Sequence, residues 1–207
     1  MSADASLLVG ELPPRERYQL LTSLVVPRPI GWISTRAADG TPNLAPYSYF
    51  AALSDSPMQV GVSIGRRASG PKDTLANIRA RAAFCVNVVT VGHLEAMNAT
   101  SAGYPPEVDE FAAADLALAE ASSVEAPYVA DCPAVLECRA VREVALDPAP
   151  NTLVIGEVVA VRLDPGLRFV EGTRFVHTAS LRPVGRLWGE AYSILGEIRV
   201  LPRPPAG

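Results

Sequence analysis

Histidine and cysteine are scarce in this sequence, and their scarcity argues against two kinds of site. Only two histidines, His93 and His177, and three cysteines occur among the 207 residues. The two histidines are far apart, and Cys132 and Cys138 lack the close pairing and histidine company of a zinc site. An odd number of cysteines without a secretion signal also argues against a disulfide framework. We therefore predict no metal centre and three reduced cysteines that pack as small apolar residues.

Long apolar runs and clustered charges are missing as well. No stretch approaches the roughly 20 apolar residues of a membrane helix, and residues 1–11 have no basic start before an apolar run. The net charge of -4 comes from 18 basic and 22 acidic residues that are spread along the chain. No basic block therefore marks a nucleic-acid surface. We expect a cytoplasmic protein that has neither nucleic acid nor a membrane as a partner.

The sequence also lacks the common nucleotide motifs. It has no GxGxxG, and no lysine directly follows its GxxxxG as a Walker loop requires. Apolar residues make up 49% of the chain, enough to bury the core of one domain over residues 1–207. No glycine-rich or serine-rich linker divides that domain.

Short segments rich in valine, isoleucine and aromatic residues predict a mainly β protein. The predicted strands span residues 29–35, 44–53, 58–64, 84–90, 135–144 and 152–163. Asp39-Gly40 predicts a hairpin between the first two, because both residues tolerate positive backbone angles. Three short helices are predicted after Thr74, at 94–101 and at 111–119. This pattern indicates an antiparallel barrel with helical excursions rather than βαβ units.

The segment SIGRRASGPKDT, residues 63–74, joins a predicted strand to a predicted helix and combines three features that bind phosphate. Arg66, Arg67 and Lys72 supply positive charge and N–H donors. Two glycines let the backbone approach closely, and the helix start offers free N–H groups with a favourable dipole. The alternative is a solvated basic turn that Asp73 or Thr74 caps at the start of the helix.

A second candidate site lies on the strand pair formed by residues 26–35 and 43–50. Its small hydroxyls and one amide lie near aromatic rings, and each can donate or accept hydrogen bonds to the edge of a flat heterocycle. The candidates are Ser34, Thr35, Asn43 and Ser48. In the alternative, these side chains bond their own backbone and the aromatic rings are core. The proline-rich tail from Leu181 is either an edge strand or an arm on a partner subunit.

Several motifs occur in order along the chain. They are PRPIGWIST, PNLAPYSYF, SIGRRASGPKDTLANI, FCVNVV, MNATSAGYPPEVDEF and LRPVGRLWGEAYSI. Together they resemble the flavin reductase-like family of FMN-binding split barrels, which includes flavoredoxin-type proteins, from about residue 18 to about residue 201. The resemblance implies a mainly β fold with short helices, a split β-barrel of the antiparallel Greek-key type. It also implies a homodimer with FMN at its interface.

The resemblance further implies which residues hold the flavin. The residues expected to bind the phosphate are Ser63, Arg66, Lys72 and Thr74, and Arg67 could take the place of Arg66. The strand pair contributes Ser34, Thr35, Asn43 and Ser48. Candidates to approach the flavin or nicotinamide are His177, Arg186 and Tyr192. No side chain is expected to be catalytic, because hydride transfer is the chemistry of the cofactor.

The function that the resemblance implies is an oxidoreductase, an NAD(P)H-dependent flavin reductase. NADH or NADPH is the co-substrate, and the electrons pass to a downstream acceptor or a partner oxygenase. The alternatives are an FMN-binding electron carrier or flavin-storage protein without NAD(P)H oxidation of its own, and a ligand-free barrel that acts as an interaction module.

Overall fold

The computed structural model describes residues 6–204 and is mainly β. The strands are β1 (Arg28–Pro29), β2 (Gly31–Arg36), β3 (Pro42–Tyr47), β4 (Phe50–Asp55), β5 (Met58–Ile64), β6 (Arg66–Arg67), β7 (Gly70–Pro71), β8 (Ala83–Val88), β9 (Leu118–Glu120), β10 (Pro127–Val129), β11 (Ala134–Ala145), β12 (Thr152–Leu163), β13 (Val184–Arg186) and β14 (Tyr192–Ile194). The helices are α1 (Pro14–Leu24), α2 (Asp73–Arg81), α3 (Leu94–Ala99), α4 (Glu110–Ala113) and α5 (Thr178–Leu181). None of these helices is long and apolar enough to cross a membrane.

Seven strands form one sheet in the order β3-β2-β8-β11-β12-β5-β4. Every neighbouring pair is antiparallel. The two edge strands, β3 and β4, are consecutive in the chain and are joined only by Ser48 and Tyr49. Because two residues span only about 7 Å, the sheet must curl until its edges approach each other. The predicted antiparallel barrel with short helices is confirmed.

Barrel closure corrects one predicted strand. The sequence predicts a single strand over residues 44–53, whereas the structure places β3 and β4 at opposite edges of the sheet. Ser48 and Tyr49 form the break, and the Tyr49 carbonyl accepts a hydrogen bond of 2.8 Å from the Ser63 N–H. Residue periodicity carries no signal for this break, because both halves have strand composition.

The β2–β3 hairpin forms where the sequence predicts it. Thr35 pairs with Asn43 in the antiparallel register, and the Ala37 N–H donates to the Thr41 carbonyl at 2.8 Å. Gly40 has a φ of 97°, a conformation that disfavours residues with a side chain. The composition of this turn therefore fixes the register of the first two long strands.

One predicted helix is too long, and one helix was not predicted. The helix predicted over residues 111–119 ends at Ala113, because Asp115 takes a positive φ of 54° and the chain then enters β9. Helix α1 was not predicted, since Thr22 is its only buried residue and its apolar pattern is weak. Pro14 at its first turn was the available start signal.

The core lies on both faces of the sheet. Adjacent residues of a strand point to opposite faces of the sheet. In β2, Trp32 therefore packs in one cluster with Met97 and Phe111, and Ile33 packs in a second cluster with Phe84. Helix α2 packs on the second cluster through Leu75 and Ile78. This packing fixes the start of α2, and with it the predicted phosphate turn, against the barrel.

All three cysteines are buried and free, and burial raises the thiol pKa to about 11 for Cys132 and about 12 for Cys138. These thiols therefore stay protonated near neutral pH.

Candidate functional site

The basic turn, residues 65–72, is held by a small hairpin in front of α2. Strands β6 and β7 pair Arg66 with Pro71 and Arg67 with Gly70, and Gly70 has a φ of 139° that favours glycine. Lys72 is the N-cap residue of α2, and its backbone is extended. Its side chain makes no capping hydrogen bond to the first turn of the helix. The first N–H groups of α2 are therefore available to an anion.

The positive charges of the basic turn exceed its negative charges. Arg67 bonds Asp73 at 2.8 Å and donates to the Tyr104 carbonyl at 3.3 Å. Arg66 is exposed, and the Lys72 ammonium lies 5.3 Å from the centroid of the Tyr47 ring. Within residues 6–204, neither of these two cations has a carboxylate oxygen within 4 Å. Burial, and then repulsion by Arg67, lowers the pKa of Lys72.

Directly beneath the turn lies a buried network of polar side chains. The Thr74 hydroxyl accepts from the Tyr47 hydroxyl at 2.9 Å and donates to Asn43 Oδ1 at 2.8 Å. The Thr35 hydroxyl also donates to Asn43 Oδ1, at 3.2 Å, and accepts from Asn77 Nδ2 at 3.1 Å. The predicted residues Thr35, Asn43 and Thr74 are therefore brought together, with their side chains turned inward.

Glu110 completes the buried network from α4. Its carboxylate accepts from Asn43 Nδ2 at 2.8 Å and from the Leu44 N–H at 3.0 Å. Burial raises the pKa of the Glu110 carboxyl. Burial also raises the pKa of the Tyr47 hydroxyl to about 12. No buried side-chain polar atom among the described residues lacks a partner. Sequence reasoning missed Glu110 and Asn77, because each lies far along the chain from the strand that it supports.

Ser34 lies on the other face of β2 from Thr35. Its hydroxyl donates to the Pro127 carbonyl at 2.6 Å and accepts from Asn87 Nδ2 at 3.0 Å. Because neighbouring strand residues point to opposite faces, Ser34 and Thr35 do not face a common ligand. The flavin contacts predicted for these side chains stay predictions.

Ser48 and Ser63 are half-buried near the barrel closure. Ser63 accepts a hydrogen bond from Asn151 Nδ2 at 3.1 Å. Ser48 lines a groove of about 570 Å³, here called the apolar groove. Its apolar walls include Leu21, Val25, Pro27, Phe50, Leu53 and Leu153. The hydrogen bond between Ser63 and Tyr49 links this groove to the strand that leads into the basic turn.

The C-terminal candidates separate into two places. The Arg186 guanidinium lies 4.4 Å from the centroid of the Tyr192 ring, and the Tyr192 hydroxyl donates to Asn98 Oδ1 at 2.8 Å. His177 is exposed just before α5, where its carbonyl accepts from the Ser180 hydroxyl at 2.7 Å. Arg186 and Tyr192 are therefore in contact, and within residues 6–204 no hydrogen bond links His177 to either of them.

The comparisons with known proteins agree with this architecture. Nitrilotriacetate monooxygenase component B from Bacillus cereus is 31% identical, with 97% of this chain and 100% of that chain covered and a TM-score of 0.90. The 2-nitrobenzoate 2-nitroreductase of Pseudomonas fluorescens is 28% identical, with 97% and 96% covered and a TM-score of 0.87. A putative flavin reductase with a split barrel domain from Shewanella frigidimarina is 25% identical, with 95% and 96% covered and a TM-score of 0.83.

A sequence relative and a family pattern complete the assignment. A protein from Halalkalibacterium halodurans is 36% identical over 199 residues, which cover 93% of each chain. The pattern of the flavin reductase like domain matches residues 23–175. That match covers most of the chain and includes the barrel strands, the basic turn and the buried network. The chain belongs to the flavin reductase like domain family, a family of flavin-binding oxidoreductases with the split-barrel fold.

Proposed function

We propose that this protein binds FMN and reduces it with NADH or NADPH. The observation that carries the proposal is the basic turn, where two cations precede the start of α2. Among residues 6–204, no carboxylate pairs with these cations and no side chain caps the helix start. A phosphate monoester supplies the missing negative charge and accepts from the free N–H groups. We assign to Arg66 and Lys72 the positive charges that pair with the phosphate. Because the Thr74 hydroxyl is committed to the buried network, Thr74 contributes its backbone N–H.

The apolar groove is assigned the isoalloxazine ring. A flat, largely apolar ring with polar edges fits a groove of about 570 Å³ whose walls are mostly aliphatic and aromatic. Ser48 borders the groove and Ser63 lies on the strand between groove and turn, so both are placed to bond the polar edge or the ribityl chain. Ser34, Thr35 and Asn43 then support the flavin site by fixing strands β2 and β3.

A homodimer completes the flavin site in this proposal. Leu24 is 77% exposed and Leu21 is 53% exposed, on the helix beside the groove. Apolar surface of this kind is stabilised by burial against a second copy of the chain. Leu24→Glu is expected to produce a monomer in light scattering and to weaken FMN binding. A monomeric wild-type protein that binds FMN with full affinity would contradict this part of the proposal.

A flavin bound at this site would supply the hydride-accepting chemistry of a reaction with NAD(P)H. The residues of the basic turn and of the apolar groove would bind and orient this cofactor. The sequence has no GxGxxG motif for a dinucleotide, which favours a loosely held co-substrate over the groove. The relative from Bacillus cereus is a monooxygenase component, and this supports a partner oxygenase as the receiver of reduced flavin.

Visible spectroscopy of the purified protein tests the proposal. We expect a yellow protein whose flavin band bleaches on anaerobic mixing with NADH or NADPH. A yellow protein that keeps its colour with both nucleotides would instead be an electron carrier or a flavin-storage protein. A colourless protein that gains no thermal stability from added FMN would be a ligand-free module, because a ligand that prefers the folded state must stabilise it.

A further inference from the structure

Residues 195–201, here called the C-terminal arm, expose a row of apolar side chains. The arm follows β14 directly, and its own residues belong to no helix or strand. Val200 is 88% exposed and Leu201 is 85% exposed, and Leu195 and Ile198 are exposed as well. Residues 6–204 of one chain therefore leave most of the apolar surface of the arm in water, where it is unfavourable.

The arm has the residue pattern of an extended strand. Ile198 and Val200 alternate with Glu197 and Arg199, and the last two form an ion pair at 2.9 Å. In extended backbone, residues two apart lie on the same face. One face of the arm is therefore apolar and the other is charged. An extended segment of this kind fits a groove that has apolar walls and charged groups at its edge.

Such a groove lies along α1. It has a volume of about 720 Å³ and is here called the helix groove. Arg15 and Glu16 line it, and both are exposed. None of its lining residues lines the apolar groove that is assigned to the flavin ring, so the two grooves are separate. The apolar side chains that line the helix groove are Leu7, Tyr18, Leu20 and Trp188.

The arm does not occupy the helix groove of its own chain. Ile194 at the end of β14 pairs with Val184, whereas Trp188 lies in the turn that joins β13 to β14. Strand β14 therefore leads the chain away from Trp188. Within the described residues, no part of the arm lines the groove. A second copy of the chain presents the same groove, and a two-fold axis lets each arm enter the groove of the other copy.

We propose that the C-terminal arm of one copy binds in the helix groove of a second copy, with Ile198 and Val200 against its apolar walls. The exchange is reciprocal, so one dimer covers two arms and two grooves. Most residues of both segments lie outside residues 23–175, the part that the family pattern matches. This inference rests on the homodimer of the proposed function and names the segment that joins its two copies.

The charges of the two segments are complementary. The arm carries Glu197 and Arg199, and the helix groove presents Arg15 and Glu16. Each charge of the arm therefore meets a charge of opposite sign on the other copy. Charges of this kind at the edge of an interface fix its register more than they add affinity. They select the direction in which the arm lies in the groove.

Cysteine cross-linking tests the proposal. The native cysteines are buried and free, and burial raises the pKa of each thiol, so they do not compete for oxidation. Gln19→Cys with Val200→Cys adds one thiol to the helix groove and one to the arm. We expect a disulfide-linked dimer on a non-reducing gel after mild oxidation of dilute protein. Gln19→Cys with Val170→Cys, which uses an exposed valine outside the arm, is the matched control and should give monomer bands.

Charge reversal is the second test and leaves the apolar contacts in place. Glu197→Arg should raise the dissociation constant of the dimer several-fold in analytical ultracentrifugation, because the repulsion with Arg15 occurs twice in a two-fold dimer. Adding Arg15→Glu to this variant should restore the wild-type dissociation constant. An unchanged constant in Glu197→Arg, or a loss that Arg15→Glu does not restore, would overturn the placement of the arm in this groove.

The cross-linking result also separates the arm from the flavin. Only monomer bands, a disulfide closed within one chain, or equal cross-linking of the control pair would overturn the proposal. FMN binding by a protein that does not cross-link leaves the proposed function standing. A cross-linked dimer that neither binds FMN nor reacts with NAD(P)H removes the proposed function and keeps the bound arm.

Discussion

The buried network and the basic turn lie two residues apart at the start of α2, and they differ in whether their polar and charged groups have partners within the protein. Thr74 belongs to the network, where each polar atom has a partner inside the protein. Lys72 belongs to the turn, where its ammonium lies over the Tyr47 ring and has no carboxylate oxygen of residues 6–204 within 4 Å. Hydrogen bonds that are satisfied within the protein stabilise the fold, whereas cations without a carboxylate partner are available to bind an anionic ligand. We therefore expect variants in the two regions to separate stability from affinity.

The largest expected effect is on affinity. Arg66→Gln with Lys72→Gln should weaken FMN binding about 100-fold or more, because two charged hydrogen bonds of about 1.5 kcal/mol each are lost. The free energy of unfolding should change by less than about 1 kcal/mol, because Arg66 is exposed and the half-buried Lys72 has no ion pair within residues 6–204. Fluorescence titration and urea unfolding measure the two quantities. Arg142→Gln with Arg174→Gln removes the same charge elsewhere, and an equal loss of affinity there would remove the special role of the turn.

The next effect is on stability. Asn43→Leu should lower the free energy of unfolding by about 2–3 kcal/mol, because it leaves Glu110 and the Thr74 hydroxyl short of partners in the interior. The folded variant should retain FMN affinity to within a few-fold. A stable variant with much weaker FMN binding would instead make Asn43 a direct flavin ligand, as the sequence resemblance implies.

A smaller stability effect is expected at the contact between the two regions. Tyr47→Phe removes the hydroxyl that donates to Thr74 but keeps the ring beside Lys72. We expect a loss of about 1 kcal/mol in unfolding free energy, the usual contribution of one hydrogen bond, with FMN affinity unchanged. A large fall in affinity would show that the two regions act as one.

The smallest effect is on pH dependence. Burial lowers the pKa of Lys72 in the ligand-free protein, so its ammonium loses the proton below the usual lysine range as pH rises. FMN affinity should therefore fall several-fold as pH rises from 8 toward 10, where the flavin phosphate stays fully ionised. In Lys72→Gln this part of the pH dependence should vanish. An unchanged slope in that variant would assign the titration to another group.

Local features of the sequence predicted both the hairpin and the basic turn. Asp39-Gly40 and the run from Arg66 to Lys72 each contain, within a few residues, the chemistry that fixes their structure. The partners of these segments were not predictable in the same way. Glu110 reaches Asn43 across 67 residues of sequence, and no periodicity connects them.

The same limit explains why the break at Ser48 and the burial of Arg28 were missed. Ser48 interrupts a stretch of strand composition only because the barrel closes there. Arg28 sits in a motif that resembles the family, but its burial depends on α1 and on the distant Leu187 carbonyl. Local chemistry thus predicted the basic turn as a structural feature, whereas long-range packing determines the buried network.

A titration of the wild-type protein with FMN and with riboflavin, which lacks the phosphate, tests the central claim most directly. If the basic turn binds the phosphate, FMN should bind about 100-fold more tightly than riboflavin, and the two affinities should converge in the Arg66→Gln, Lys72→Gln variant. Equal affinity of the wild-type protein for FMN and riboflavin would contradict the assignment of the phosphate to this turn.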